Sequence, residues 1–253
     1  MEKVNRAQFI FLITALVSTI LSTIPLQAAV RQQPQPRQIE INSKDLALSW
    51  GDIWNALRRR KAPGGSKGEF CLITPRQLVE STGAKQGSQK IWSLSPLFIW
   101  YLKNGTEQRV ELFQNGSNEV FWSREIKNGE TKVIYDGKPL QPGQSYSWQV
   151  SANAPFPRKS LRIPFQVIES QKRDRITNEL TQLEAQLKKQ GASIEKIALE
   201  KANYFAQQEF WSDVLREIYT VPNPSKELTR IIQQIPSADY CESTAVVSGA
   251  LSR

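Results

Sequence analysis

The chain is expected to fold as an α+β protein: an antiparallel β-sandwich of the immunoglobulin or fibronectin III kind, followed by a small α-helical domain. Three observations lead there. Eight short runs rich in β-branched and aromatic residues crowd into residues 69–169. Asn-Gly pairs sit between several of them, and that dipeptide readily takes the positive φ angles of tight hairpin turns. After Glu169 the apolar spacing changes from two to about 3.5, as on one face of a helix.

The N-terminus sets the compartment. Lys3 and Arg6 precede an almost wholly apolar stretch, residues 9–26, and Leu26-Gln27-Ala28 ends on a small residue. Positive, apolar, then small is the order of a secretory signal peptide, which gives residues 1–28 to the signal and places the mature chain in the periplasm or outside the cell. An uncleaved anchor is the competing reading, and Ser18, Thr19, Ser22, Thr23 and Pro25 weaken it. No later apolar run reaches membrane-spanning length, so no membrane span is expected after cleavage.

Residues 29–68 read as a flexible linker. They open on a Pro/Gln tract. Residues 39–57 suggest a short strand and a helical turn, with Trp50 and Trp54 four apart. A basic loop follows, Arg58-Arg59-Arg60-Lys61-Ala62-Pro63-Gly64-Gly65-Ser66-Lys67-Gly68.

The sandwich comes next. Its strands are expected at Phe70–Thr74, 91–94, Leu97–Leu102, 109–113, 119–126, 131–135, 146–152 and 161–168. Asn104-Gly105, Asn115-Gly116 and Asn128-Gly129 between them point to an antiparallel meander. Pro142-Gly143 leads into a strand on which Tyr146, Trp148 and Val150 alternate. That arrangement is similar to a tyrosine corner, in which the ring packs inward and the hydroxyl bonds the preceding loop.

A helical domain occupies residues 170–236. Ile176, Leu180, Leu183 and Leu187 form one stripe, and Gly191 ends that helix. Ser193 caps a second helix with Glu195 in its first turn. A third runs near residues 210–219. Ser225 caps a fourth, which Pro236 stops. The segment between Ala198 and Tyr219 looks like one tetratricopeptide helical hairpin, a unit that must lean on neighbours to bury its face. Residues 237–253 are a small, polar tail.

Composition narrows the chemistry. Among 253 residues there are 33 basic, 24 acidic and no histidine, a net charge of +9. Losing residues 1–28 removes two basic and one acidic residue and leaves +8. That charge favours anionic surroundings such as acidic polysaccharide, lipid headgroups or nucleic acid, and export puts nucleic acid last, so the partner expected is an envelope protein or anionic polysaccharide and no nucleic acid. The missing histidine removes Ser-His-Asp and Cys-His catalysis and imidazole-based zinc sites. Cys71 and Cys241 suggest one disulfide in an oxidising compartment; two unpaired thiols are the alternative.

The order of segments resembles a cyanobacterial exported family catalogued as domain of unknown function 928. The stretches that carry the resemblance are Arg60 to Gly65, Lys67 to Cys71, Ser95 to Tyr101, and Val110 to Leu112 followed by Asn118 to Phe121. Leu140 to Trp148 and Tyr204 through Leu215 complete it. The resemblance implies export and an unassigned role, and it transfers no catalytic residue.

Candidate sites follow from what remains. The run Arg58, Arg59, Arg60 and Lys61 would clamp an anionic polymer, or else be a solvated loop. Trp92, Trp100, Tyr101, Trp122 and Trp148 would form a sugar-binding platform, or else fill the core; alternation puts Phe121 and Trp122 on opposite faces. Glu107, Glu111, Glu125, Glu130 and Asp136 offer the carboxylates of a histidine-free hydrolase, or the polar face of a sheet. No phosphate loop, metal-ligand spacing or dinucleotide motif is present, so no cofactor is expected. The leading expectation is a non-catalytic interaction or scaffold module. Carbohydrate binding comes second and hydrolysis third.

Overall fold

The computed structural model describes residues 48–61, 70–76, 79–80, 89–102, 107–114, 116–152 and 162–237. The signal 1–28, residues 29–47 and 62–68 of the expected linker, Asn104-Gly105 and Cys241 lie outside the described residues. All described residues belong to one compact unit that begins at Ser43.

The first element corrects the expected linker. Trp50–Arg59 is helix α1, opened by a reciprocal cap in which Ser49 Oγ accepts from Asp52 N–H and the Asp52 carboxylate accepts from Ser49 N–H. Trp50, Ile53, Trp54 and Leu57 recur at three and four residues and are buried. A buried stripe of that kind makes a packed helix, and no linker has one. Its end runs into β1 (Arg60–Lys61), which pairs with β3 (Val79–Glu80). Arg58 to Lys61 are therefore ordered as a last helical turn and a short strand, where a flexible loop was expected.

The other strands are β2 (Phe70–Thr74), β4 (Gln89–Ile91), β5 (Leu97–Leu102), β6 (Glu107–Gln114), β7 (Val120–Glu125), β8 (Lys132–Ile134), β9 (Ser145–Ala152) and β10 (Ile163–Val167). They form a three-stranded sheet, β2-β5-β8, and a five-stranded sheet, β4-β10-β9-β6-β7. Seven of the eight expected strands are present in place, while the one expected at 91–94 lies instead at Gln89–Ile91 and shares only Ile91 with it. Their connections differ from a meander. β6 and β7, joined across Gly116 (φ 79°), and β9 and β10 are consecutive antiparallel neighbours, whereas β5 to β6 and β7 to β8 each cross from one sheet to the other. The sheets are not wholly antiparallel either, because β4 runs parallel to β10. After β4 the chain leaves for the other sheet, and it is β10 that returns beside β4 in the same direction.

Leu72, Phe98, Trp100 and Val133 from the smaller sheet share one buried cluster with Leu112, Tyr146, Trp148, Phe165 and Val167 from the larger. On β5 the alternate residues Leu97 and Ile99 face the other way. Both faces of β5 are covered, which is why Leu97–Leu102 reads as one apolar run.

Four helices follow the sheets: α2 (Ser170–Lys189), α3 (Ile194–Gln207), α4 (Trp211–Thr220) and α5 (Lys226–Gln234). Gly191, at φ 72°, ends α2: its N–H bonds Lys188 O while Ala192 N–H bonds Leu187 O. Ser193 and Ser225 cap α3 and α5. The boundary expected at 169/170 is not a domain boundary. Cys71, Ile73, Leu97 and Ile99 from the smaller sheet, Ile53 and Leu57 from α1, and Ile168, Ile176, Phe205, Val214, Ile218 and Leu228 fill a single cluster. Among the described residues the small sheet is buried between the large sheet and the helices.

Candidate functional site

The densest polar construction lies where the segment after β4 passes under the helices. Asp213, on α4, is buried, and its carboxylate accepts the backbone N–H of Trp92 at 2.8 Å and of Ser93 at 2.9 Å. Arg216, one turn on, donates to Ser95 O at 3.1 Å. The Trp92 indole N–H donates to Thr177 of α2 at 3.2 Å, and its ring packs on Phe205 with centroids 5.5 Å apart. Three helices thus grip residues 92–95. Burial pushes the Asp213 carboxyl up to about 7, against the opposing pull of the two N–H donors and Arg216.

Behind it, Glu217 and Glu184 both reach Lys201 at 3.6 Å, tying α2, α3 and α4 together. Burial raises the Glu217 pKa; a hydrogen bond from Lys188 lowers that of Glu184. Glu195 closes the far side, accepting from the Trp50 indole at 3.0 Å and from Ser225 N–H at 2.8 Å. One carboxylate therefore joins α1, α3 and the start of α5. These acids serve as ties between elements.

The basic run has a definite form. The Arg58 guanidinium lies 5.8 Å from the Trp54 ring centre and donates to Asn55 at 3.0 Å. Arg59 is exposed. Arg60 sits 4.4 Å over the Trp211 ring and donates to Ala56 O at 3.2 Å. The Lys61 side chain lies outside the described residues. Two cations that sequence reading missed join this region: Lys172 lies 5.0 Å from the Phe210 ring and Arg173 lies 5.3 Å from the Trp92 ring. Their signal was present in the sequence, as basic residues in the first turn of α2 where acids are usual.

The aromatic platform is absent among the described residues. Trp100 and Trp148 are fully buried between the sheets, and Trp92 and Tyr101 pack against the helix-facing cluster. Trp122 is half-buried, stacked on Phe98 at 5.9 Å, with its indole N–H donating to Asp136 at 2.9 Å. Phe121 and Trp122 do not take opposite faces. Trp122 pairs with Leu112 and Val120 with Phe113, so Phe121 is the extra residue of a bulge. Its ring reaches Tyr146, 5.9 Å away, while remaining 46 % exposed.

Tyr146 is buried, stacked on Phe165 at 5.8 Å, and its hydroxyl accepts the Gln141 N–H at 3.1 Å. Cys71 is buried on β2 and is not a free thiol.

Three of the candidate hydrolase carboxylates have partners of their own. Glu130 pairs with Arg124 at 2.9 Å, Glu111 accepts from Gln149 at 2.7 Å, and Asp136 holds Trp122. Glu125 is exposed, and the Glu107 side chain lies outside the described residues. Among the described residues no group of acids could hold a metal ion, and no helix is long and apolar enough to cross a membrane. No family model, curated protein or solved structure matches this chain.

Proposed function

We propose that the protein is an exported, non-catalytic interaction module that presents a basic surface to a protein or anionic partner in the cell envelope. The observation that carries this reading is the packing of Arg58 and Arg60 on Trp54 and Trp211, with Arg59 exposed between them. Guanidinium groups held on rings lose little freedom when they bind an anion. The helical and sheet layers form the support, and the acids found are engaged in holding it together.

The finer fold assignment belongs to the same proposal. Strands β5 and β8 lie in one sheet and β6, β9 and β10 in the other, and a tyrosine at the start of β9 bonds the loop before it. These features favour an immunoglobulin-type sandwich. The α3–α4 pair, with Ala202 and Phe205 meeting Val214 and Ile218 in one cluster, favours the tetratricopeptide-like hairpin. The order of segments keeps the family resemblance as part of the proposal.

The test is capture. The mature chain, immobilised and exposed to solubilised envelope, is expected to retain a specific partner that high salt releases. Retention of nothing above a charge-matched control, or turnover of an envelope polymer, would overturn the reading.

A further inference from the structure

We propose that β7 is the pairing edge of a homodimer, in which a second copy of this chain adds its own β7 antiparallel across a two-fold axis set between Phe121 and Trp122. The inference draws nothing from the basic surface and stands apart from the interaction reading above. β7 is an edge strand of the five-stranded sheet, and among the described residues it pairs with β6 alone. All six of its residues are exposed or half-buried, whereas the opposite edge strand, β4, buries Gln89 and Ile91. Of the four exposed large apolar residues among those described, Val120, Phe121 and Ile134 lie on β7 and on β8, an edge of the smaller sheet. Trp122 joins these two edges, with its ring 5.1 Å from that of Tyr135 and its indole N–H donating to Asp136. Apolar exposure therefore collects on one side of the paired sheets, along an open edge.

The bulge decides which partner fits. Trp122 and Arg124 lie opposite Leu112 and Val110, which face the cluster between the sheets, and Ser123 lies opposite Glu111 on the other face. Val120 lies opposite Phe113, which alternation with Leu112 puts on that other face. Phe121, the extra residue, turns its ring to Tyr146 of the inner cluster. Extending the strand by one residue puts Glu119 on the inner face as well. From 119 to 124 the faces then run in, out, in, in, out, in, the same in both directions. A two-fold axis normal to a sheet keeps every residue on its own face, so a regular strand pairs with itself only between residues an even number apart. The bulge shifts the alternation by one and opens the register centred between 121 and 122.

In that register the side chains are complementary. Glu119 meets the second copy's Arg124 at each end, Phe121 meets the second copy's Trp122 on either side of the axis, and Val120 meets the second copy's Ser123. Opposite charges and paired aromatic rings are favourable cross-strand combinations. Glu119 is exposed, and among the described residues no cation bridges its carboxylate. Arg124 gives Nη2 to Glu130 at 2.9 Å and is still 32 % exposed, and a guanidinium carries further donors. A slip of one residue would set Glu119 against Glu125, acid on acid. A foreign strand has no need of a palindrome; a second copy does. Pairing uses up the open edge of both copies, so the assembly closes at two.

Sedimentation equilibrium of the full mature chain tests the pairing. Wild type is expected to dimerise reversibly with a midpoint at about 10–100 μM, as suits one added strand. Glu119→Arg sets arginine against arginine at both ends and is expected to weaken the dimer about tenfold or more. Arg124→Glu sets acid against acid and is expected to do the same. An equimolar mixture of these two variants has both opposite-charge pairs again, and is expected to form a heterodimer within about threefold of the wild-type midpoint. Ile194→Lys, at the exposed apolar residue of α3, is expected to change nothing. If circular dichroism shows Arg124→Glu unfolded, Phe121→Ala decides in place of the mixture, with an expected loss of about tenfold. Wild type that stays monomeric at about 1 mM, or grows beyond a dimer, overturns the proposal. So does a dimer indifferent to Glu119→Arg, one lost equally in Ile194→Lys, or a mixture of folded variants that stays monomeric.

Discussion

Removing the Asp213 carboxylate should loosen the hold of the helices on the sheets. Asp213→Ala removes the shared acceptor of two backbone N–H groups, those of Trp92 and Ser93, held at 2.8 and 2.9 Å. Each buried donor left without a partner costs about 1–3 kcal/mol. Near pH 4 the acid is protonated in the fold and there is no buried charge to relieve, so the net loss there is about 2–4 kcal/mol; at pH 8 relief of the buried charge offsets most of it. The pH dependence has a definite sign. The folded-state pKa of Asp213 is raised to about 7 from 3.8, so the folded state binds the proton more tightly. The associated stability is fully present below about 3.8 and is lost as pH rises through about 7. Burial raises Glu217 as well and adds in the same direction. Asp213→Asn, with one acceptor oxygen for two N–H groups, should be destabilised at pH 4 and show a flatter profile between pH 4 and 7. Urea unfolding followed by tryptophan fluorescence and by helical circular dichroism measures both effects. A loss below about 0.5 kcal/mol for Asp213→Ala at pH 4, or an unchanged slope for Asp213→Asn, would refute the clamp.

Three other substitutions or measurements bear on separate parts of the structure. Glu209 ends α3 at φ 59°, a conformation that costs a residue with a Cβ about 1–2 kcal/mol. Glu209→Gly should raise stability by up to about 1 kcal/mol in thermal unfolding; destabilisation would place the turn wrongly. Tyr146→Phe deletes the hydroxyl that accepts Gln141 N–H and should cost about 1–2 kcal/mol, whereas a neutral result would deny the corner any role in stability. For the expected Cys71–Cys241 bridge, the mature protein denatured without reductant should show no reactive thiol, and two after reduction. Two thiols before reduction would remove the bridge.

Much of this fold was legible because it depends on near neighbours in the chain. Val110, Leu112, Tyr146, Trp148 and Val150 alternate, and alternation marks a half-buried strand wherever its partner lies. Ile176, Leu180 and Leu187 mark a helix in the same way. Helix α1 was legible too, through Ser49 and Asp52 as a cap and the Ile53–Leu57 spacing, but the neighbouring Pro- and Gly-rich stretches drew the reading towards a linker. What the chain could not show is long-range. Nothing local in Asn128-Gly129 says that the next strand joins the other sheet. Nothing local in Asp213 says that its partners are N–H groups about 120 residues away. The bulge at Phe121 is similar, since an extra residue is visible only against the partner strand. The basic surface was half legible: Arg58 to Lys61 stand together in sequence, whereas Lys172 and Arg173 join them only through Phe210 and Trp92.

The whole description depends on the helices and both sheets being one body, which makes the basic surface a rigid feature. Native-state hydrogen exchange reads this directly. The Ser93 amide, bound by Asp213, and the amides of α4 should exchange with the same opening free energy as those of the β6–β9 ladder. If α4 opens several kcal/mol below that ladder, the helices are a separate unit and the shared core is wrong.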